Sequence, residues 1–214
     1  PDGNVITTAE HAMAMMMSMA RNIPQANASV KNKKWSPKDF MGVELYNKTL
    51  GIIGFGRIGS VVAERAKGFL MKVLVYDPFI TDEHAEKLGV ERADLPALLK
   101  RADFLTLHTP KLPGKFLLGK EEFAIMKPGM RIVNCARGGL IEEGALIEAI
   151  KSKIVAQLAT DVYDKEPVSP DCPLLGMDEI ICTPHLGAST EEAQEKVAIA
   201  ICDQIIDCLK HNRI

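Results

Sequence analysis

The chain opens on apolar positions with almost no polar face: Thr7-Thr-Ala-Glu10 leads into His11-Ala-Met-Ala-Met-Met-Met-Ser-Met-Ala20. The Thr7-x-x-Glu10 spacing has the form of a capping box and predicts a helix over residues 9–22. A helix that is apolar nearly all the way round needs cover on more than one side. The expectation is therefore a second subunit, or a further domain, lying against it. The methionines read as core filler rather than a cofactor box.

Residues 23–48 lose the periodicity and predict a connecting arm, with the single tryptophan, Trp35, pinning it to the surface. From residue 49 the pattern alternates between short apolar runs and helical spacing. Strands are predicted at 50–53, 72–76, 104–107, 131–134, 155–159 and 179–182. Helices are predicted between them at 57–69, 82–88, 95–101, 120–126 and 142–152. Apolar strands alternating with helices predict an α/β domain, a parallel sheet covered on both faces. A last helix is predicted over 190–210, opened by a Ser189-x-x-Glu192 box, with Ala193, Val197, Ile201, Ile205 and Leu209 at helical spacing.

These elements divide the chain into three parts. Residues 1–48 form a helix and arm packed on the core or on an oligomer interface. Residues 49–188 form the core, and 189–214 the C-terminal helix. The start at Pro1 and the His211-Asn-Arg ending read as the ends of a fragment.

Composition narrows the class without choosing the function. The 214 residues are 47% hydrophobic and 25% charged, with a net charge of −2. Near-neutral charge gives no reason to expect a nucleic-acid or anionic-membrane partner. No apolar stretch has the length of a membrane span, and the cysteine spacing makes reduced thiols in a cytoplasmic protein the expectation. The five cysteines, Cys135, Cys172, Cys182, Cys202 and Cys208, form no CxxC pair and have neither zinc nor disulfide spacing. No metal is expected. Cys202 and Cys208 read as packing residues of the last helix.

The chemistry begins where the first strand runs into Gly54-Phe-Gly56-Arg57-Ile58-Gly59 and a helix follows at once. Glycine at these positions permits a tight turn, close approach of a pyrophosphate and close packing of helix on strand. The helix N-terminus then offers free N–H groups and a positive dipole end to the phosphates. Asp77, 18 residues after Gly59, ends the next strand. A carboxylate there accepts from both ribose hydroxyls and repels a 2′-phosphate, which predicts NAD rather than NADP. The bland alternative is that Asp77 caps its own turn.

Three further residues follow predicted strands on the same edge: Arg137 in Asn134-Cys-Ala-Arg-Gly-Gly139, Glu166 in Asp161-Val-Tyr-Asp-Lys-Glu-Pro167, and His185 in Thr183-Pro-His-Leu-Gly-Ala-Ser-Thr190. Singly each reads as a solvated or structural residue. Together, beside a nucleotide motif, they form a candidate acid–base and carboxylate-binding set.

These four motifs resemble the D-isomer-specific 2-hydroxyacid dehydrogenases, and the likeness spans essentially the whole chain. It implies a doubly wound Rossmann sheet in three α/β/α layers with a long helix at each end. It implies that Arg137 binds the substrate carboxylate, His185 exchanges the hydroxyl proton and Glu166 supports the imidazole. Cofactor contacts are implied at Gly54, Gly56, Arg57, Ile58, Gly59 and Asp77. Further along the chain they are implied at Thr109, Pro110, Cys135, Ala136, Asp161, His185, Gly187 and Ala188. Asp161 is placed near the nicotinamide amide, and His108 is read as a structural strand-end residue.

The segments from Asp2 to Glu10, Ile23-Pro-Gln-Ala26 and Gly187–Gln194 resemble family members that act on a phosphorylated 2-hydroxy acid, and the resemblance implies that substrate class; the apolar helix over 9–22 predicts a homodimer or larger oligomer built through this domain. The alternatives within reach are a glyoxylate or hydroxypyruvate reductase and a non-catalytic, NAD-sensing corepressor. A separate substrate domain is expected to complete the site.

Three places depart from the family pattern. Leu70 stands where glycine is common, Gln157 and Thr160 bring polar groups into a buried strand, and the loop Lys111-Leu-Pro-Gly-Lys-Phe116 is one residue short.

Overall fold

A computed structural model describes residues 3–111 and 113–211. Pro1, Asp2, Leu112 and residues 212–214 lie outside these, and with them part of the short loop and of the expected fragment ends.

Among the described residues one sheet holds strands β1 (Thr49–Ile53), β2 (Lys72–Tyr76), β3 (Glu91–Arg92), β4 (Phe104–Leu107), β5 (Met130–Asn134), β6 (Val155–Thr160) and β7 (Ile180–Cys182). Their order is β3-β2-β1-β4-β5-β6-β7, and every pairing is parallel. The helices are α1 (Val5–Ala20), α2 (Ile23–Lys31), α3 (Arg57–Gly68), α4 (Asp82–Lys87), α5 (Leu95–Arg101), α6 (Lys120–Ala124), α7 (Glu143–Lys151) and α8 (Glu191–His211).

Side chains alternate across each strand, so the sheet needs two cores. Leu50 and Ile52 join Met13, Met16, Met19, Val62 and Ala66 on one face. Ile53 joins Leu98, Leu99, Phe123, Leu146 and Ile150 on the other. The result is the expected doubly wound α/β sandwich. Strand β1 pairs with both β2 and β4, so successive connections leave in opposite directions there. That divergence opens a crevice at the C-terminal ends of the strands, where doubly wound sheets bind ligands. Among the described residues no helix is long and apolar enough to cross a membrane.

The polar intruders find partners. Gln157 donates to Asn22 Oδ1 at 2.7 Å and accepts from Arg131 Nε at 3.1 Å. Thr160 donates to the Val162 carbonyl at 2.9 Å. Leu70 sits at φ 57, the left-handed region that favours glycine.

Several expectations need correction. Helix α1 starts at Val5, and its N-cap is Asn4 without a side-chain cap bond, so Thr7 lies inside the helix and makes no capping box. Helix α8 is capped by Thr190, whose Oγ1 accepts from Ala193 N at 3.2 Å, and not by Ser189. The arm contains a helix, α2, with Pro24 in its first turn, a position where the missing N–H costs nothing. Trp35 is 84% exposed and pins nothing. Cys202 and Cys208 are exposed rather than packed. Strand β3 has two charged residues at a sheet edge, too short and polar to produce an apolar alternation.

Most of the methionine helix is covered by its own chain, with Ile6 and Met17 left 44% and 36% exposed. Met13, Met15, Met16 and Met19 are all 6% exposed or less, packed against α3, β5 and β6. Its burial therefore carries no argument for a second subunit.

Candidate active site

The glycine-rich turn is shaped as a cradle. Gly54 has φ 90, and a Cβ there would lie 2.6 Å from the His108 carbonyl oxygen. A Cβ on Gly59 would strike the Gly54 carbonyl, so α3 can close on the turn only with glycine at that position. At Gly56 the corresponding space is empty. Arg57 and Ile58 form the first turn of α3, Arg57 exposed and Ile58 half-buried.

Asp77, at the end of β2, accepts from Phe55 N at 2.7 Å through Oδ2 and from Phe79 N at 2.8 Å through Oδ1. The turn-capping alternative is thus present. Each oxygen still keeps a lone pair. The bond to Phe55 also ties this carboxylate to the glycine turn.

A cleft of about 380 Å³ opens where β1, β4, β5 and β7 end. Of the expected residues, Ile58, Thr109, Pro110, Cys135, Ala136, Arg137, His185, Gly187 and Ala188 line it. Asn4 and Thr8 of the α1 end join them, and so does His108. A larger cleft, about 610 Å³, lies under the arm beside Asn22, Gln25 and Asp178, away from the strand ends. Size does not choose between them. The strand ends and the chemistry do.

Arg137 is presented by a turn that Asn134 builds. The Asn134 side chain accepts from Ala136 N and donates to the Arg137 carbonyl, each at 3.1 Å. The guanidinium donates to the Ala136 carbonyl at 2.6 Å, leaving most of its five donors for a ligand.

His185 Nδ1 lies 2.6 Å from Glu166 Oε2. Glu166 Oε1 accepts from Tyr163 N at 3.0 Å, so the carboxylate is held from both sides. The hydrogen bond to His185 keeps the Glu166 carboxyl below its ordinary range, against a smaller upward push from burial. His108 bonds Thr106 Oγ1 through Nε2 at 3.0 Å, and burial pushes its pKa down to about 4. A neutral ring tied to its own strand fits the structural role expected of it.

Asp161 stands behind the cleft. Its side chain is fully buried and does not line the cleft. Oδ1 accepts from Thr183 Oγ1 at 2.6 Å and Leu186 N at 2.7 Å, and Oδ2 from Gly187 N at 2.8 Å. His11 Nε2 lies 3.2 Å from Oδ1. Oδ1 is thus fully engaged, whereas Oδ2 accepts only from Gly187 and keeps a lone pair.

Burial raises the Asp161 pKa, but bonds from His11, Thr183 and Leu186 outweigh it and hold the group ionised. The Cys135 thiol is pushed upward by burial and by the Asp161 charge, and so stays protonated. His11, Cys135 and Asp161 bring potential ligand atoms within 4.8 Å of one another. With Asp161 already accepting from Thr183, Leu186 and Gly187, the cluster reads as a hydrogen-bonded floor. His11, Thr8 and Asn134 escaped sequence reasoning. The first two sat within an apolar helix, and Asn134 sat inside a quoted motif without a role.

The residues fit a dinucleotide. The glycine cradle, the spare lone pairs of Asp77 and the buried Thr109 hydroxyl, which has no partner among the described residues, all face the need of one. Residues 13–187 match the family described as D-isomer specific 2-hydroxyacid dehydrogenase, NAD binding domain, and the chain belongs to it.

Similar proteins agree. The D-3-phosphoglycerate dehydrogenase of Archaeoglobus fulgidus is 51% identical over 98% of this chain, and that of Homo sapiens is 47% identical over 98%. The chain spans only 40% and 39% of those proteins. Among solved structures, a glyoxylate reductase from Paecilomyes thermophila superposes with TM-score 0.92 at 30% identity, covering all of this chain and 65% of that one. An NAD-dependent formate dehydrogenase from Staphylococcus aureus, in complex with NAD, gives 0.90 at 31% identity, covering 99% of this chain and 64% of that one.

Proposed function

We propose that this chain is the nucleotide-binding part of an enzyme that oxidises 3-phospho-D-glycerate to 3-phosphohydroxypyruvate, a step that feeds serine biosynthesis. The observation that carries the reading is the 2.6 Å His185–Glu166 pair on the cleft that Arg137 also lines. Bound NAD supplies the hydride acceptor, held by the Gly54–Gly59 turn, Asp77 and Thr109.

The residues of the chain divide the remaining work. With Nδ1 donating to Glu166, the neutral His185 ring presents Nε2 as a bare acceptor for the substrate hydroxyl proton. Glu166 stabilises the imidazolium that results. Arg137 clamps the substrate carboxylate through a planar fork, which orients the C2 hydroxyl toward His185.

The choice of phosphoglycerate is supported by identity near 50% with proteins of that name along almost the whole chain. A glyoxylate reductase reading is favoured by the 0.92 superposition, at lower identity. A second domain, by analogy with the longer relatives, closes the cleft. Assembly into an oligomer is supported by the arm, where Trp35 and Met41 are 84% and 82% exposed.

The test is a panel of 2-hydroxy and 2-keto acids offered to the full-length protein, with calorimetry for NAD. Phosphoglycerate is expected to give the highest kcat/KM, and a preference for glyoxylate or hydroxypyruvate overturns the substrate. His185→Ala is expected to lower kcat by ~10²–10⁴-fold with NAD affinity unchanged. Near-normal turnover in that variant removes the mechanism.

A further inference from the structure

We propose that His11, on α1 behind the cleft, is a positioning residue for His185 that acts through Asp161. The inference rests on the acid–base reading of His185 above.

His185 itself sits at φ 58, a strained conformation for a residue with a Cβ. Such a backbone persists only where its surroundings over-determine it. Here the restraint comes from the next two residues, whose amides are both held by Asp161, Leu186 N on one oxygen and Gly187 N on the other. A carboxylate with two oxygens each fixing one amide sets the turn as a clamp. The clamp is only as firm as the carboxylate's own anchorage.

That anchorage comes partly from another layer of the fold. Asp161 is 0% exposed, so its charge depends on donors supplied by the protein. Thr183 supplies one from the loop side, and His11 Nε2 stands within ion-pair reach, 3.2 Å away, on α1. His11 Nε2 also lies 3.4 Å from Thr183 Oγ1, closing a triangle with Asp161 Oδ1.

The neighbours of His11 on α1 face the same way. Thr8 donates to the Gly187 carbonyl at 3.0 Å, and Met15 Sδ lies 3.8 Å from Thr183 Oγ1. Residues 8, 11 and 15 follow helical spacing, so one stripe of α1 rests against the loop 183–187. His11 is absent from the cleft lining and has no contact with the reacting atoms, so its effect passes through Asp161.

Removing this donor loosens the clamp without touching the glycine cradle. The measurement compares His11→Leu with His11→Gln in the full-length protein. Leucine keeps the helix and loses the donor, whereas glutamine keeps an Nε2 donor at similar reach.

In His11→Leu, kcat is expected to fall ~10- to 100-fold through misplacement of His185, with the KM for NAD within about twofold. His11→Gln is expected to recover most of kcat. Hydrogen exchange over residues 183–190, without substrate, is expected to quicken ~10-fold at the Leu186 and Gly187 amides in His11→Leu and to stay near wild type in His11→Gln. Unchanged kcat, or a glutamine variant as slow as the leucine one, overturns the inference. So does exchange equal to wild type in His11→Leu, and this arm is independent of what the enzyme oxidises. A wild-type protein that turns over no 2-hydroxy acid removes the functional reading instead.

Discussion

Helices α1 and α8 stand at opposite ends of the chain, and along the sequence both show apolar residues at helical spacing. In the structure they part company. On α1, Met16 and Met19 are fully buried, and the polar residues among them, Thr8 and His11, reach the loop that carries His185. On α8 only the first turn is docked. Ala193 is 1% exposed and Val197 36%, but Ile201, Ile205 and Leu209 are 51%, 53% and 78% exposed. Periodicity states which face of a helix seeks cover. It does not state what supplies the cover, and a polar residue inside an apolar stripe marks where the helix has a second task.

The sharpest way to break this contrast is to cut a methyl-bearing side chain from each helix. Met16→Ala is expected to cost about 2–5 kcal/mol, because the site is closed on all sides and can collapse only partly. Ile205→Ala in this 214-residue chain is expected to change stability by about 0.5 kcal/mol or less. Urea unfolding of both variants decides it, and equal losses would show that α8 packs as firmly as α1.

A second, smaller effect probes the polar edge of α1. Asp161→Asn replaces the acceptor of three hydrogen bonds by a group with donors of its own, which then oppose the loop amides. The expected cost is about 1–3 kcal/mol. The pH dependence follows from the lowered pKa of Asp161. Its folded value lies below its unfolded one, so the stabilisation is complete above the ordinary carboxylate range, near pH 4. It is lost as pH falls from there through the folded pKa. Wild type is therefore expected to lose its advantage over Asp161→Asn on acidification below about pH 4. A gap between the two that stays constant down to pH 2 would contradict the assignment.

Much of the sheet was legible because buried parallel strands are short continuous apolar runs between breakers. Strands β2 and β4 have the predicted bounds, and the other apolar strands differ by a residue at one end. Strand β3 and helix α2 were not legible, since Glu91-Arg92 and the polar residues 23–31 carry no buried face.

At the site, Gly54, Gly59, Arg137, Glu166 and His185 could be placed on one sheet edge because each comes soon after a strand's C-terminal end. What could not be read was the second ring of contacts. The bonds of Asp161 to Leu186 and Gly187 span 25 and 26 residues, and that of Thr8 to Gly187 spans 179. No local spacing encodes them. They arise only once the sheet has brought β6, β7 and α1 together.

The smallest expected effect concerns Leu70, which closes α3, the helix that covers α1. Its φ of 57 and 65% exposure mean that the side chain gains little from packing while the backbone bears a left-handed conformation. Relief of that conformation is worth roughly 1–2 kcal/mol in a residue with a Cβ. Glycine returns about 0.5–1 kcal/mol through the entropy of the unfolded chain. Leu70→Gly is therefore expected to stabilise the protein by about 0.5–1 kcal/mol, a gain of a few degrees in Tm. The Leu70 amide donates to the Lys67 carbonyl and its carbonyl accepts from Asn47 N, and both bonds survive the substitution because they use only the backbone. If Leu70→Gly proves destabilising instead, the left-handed backbone at Leu70 costs less than the entropy that glycine adds to the unfolded chain, and the end of α3 carries no relievable strain.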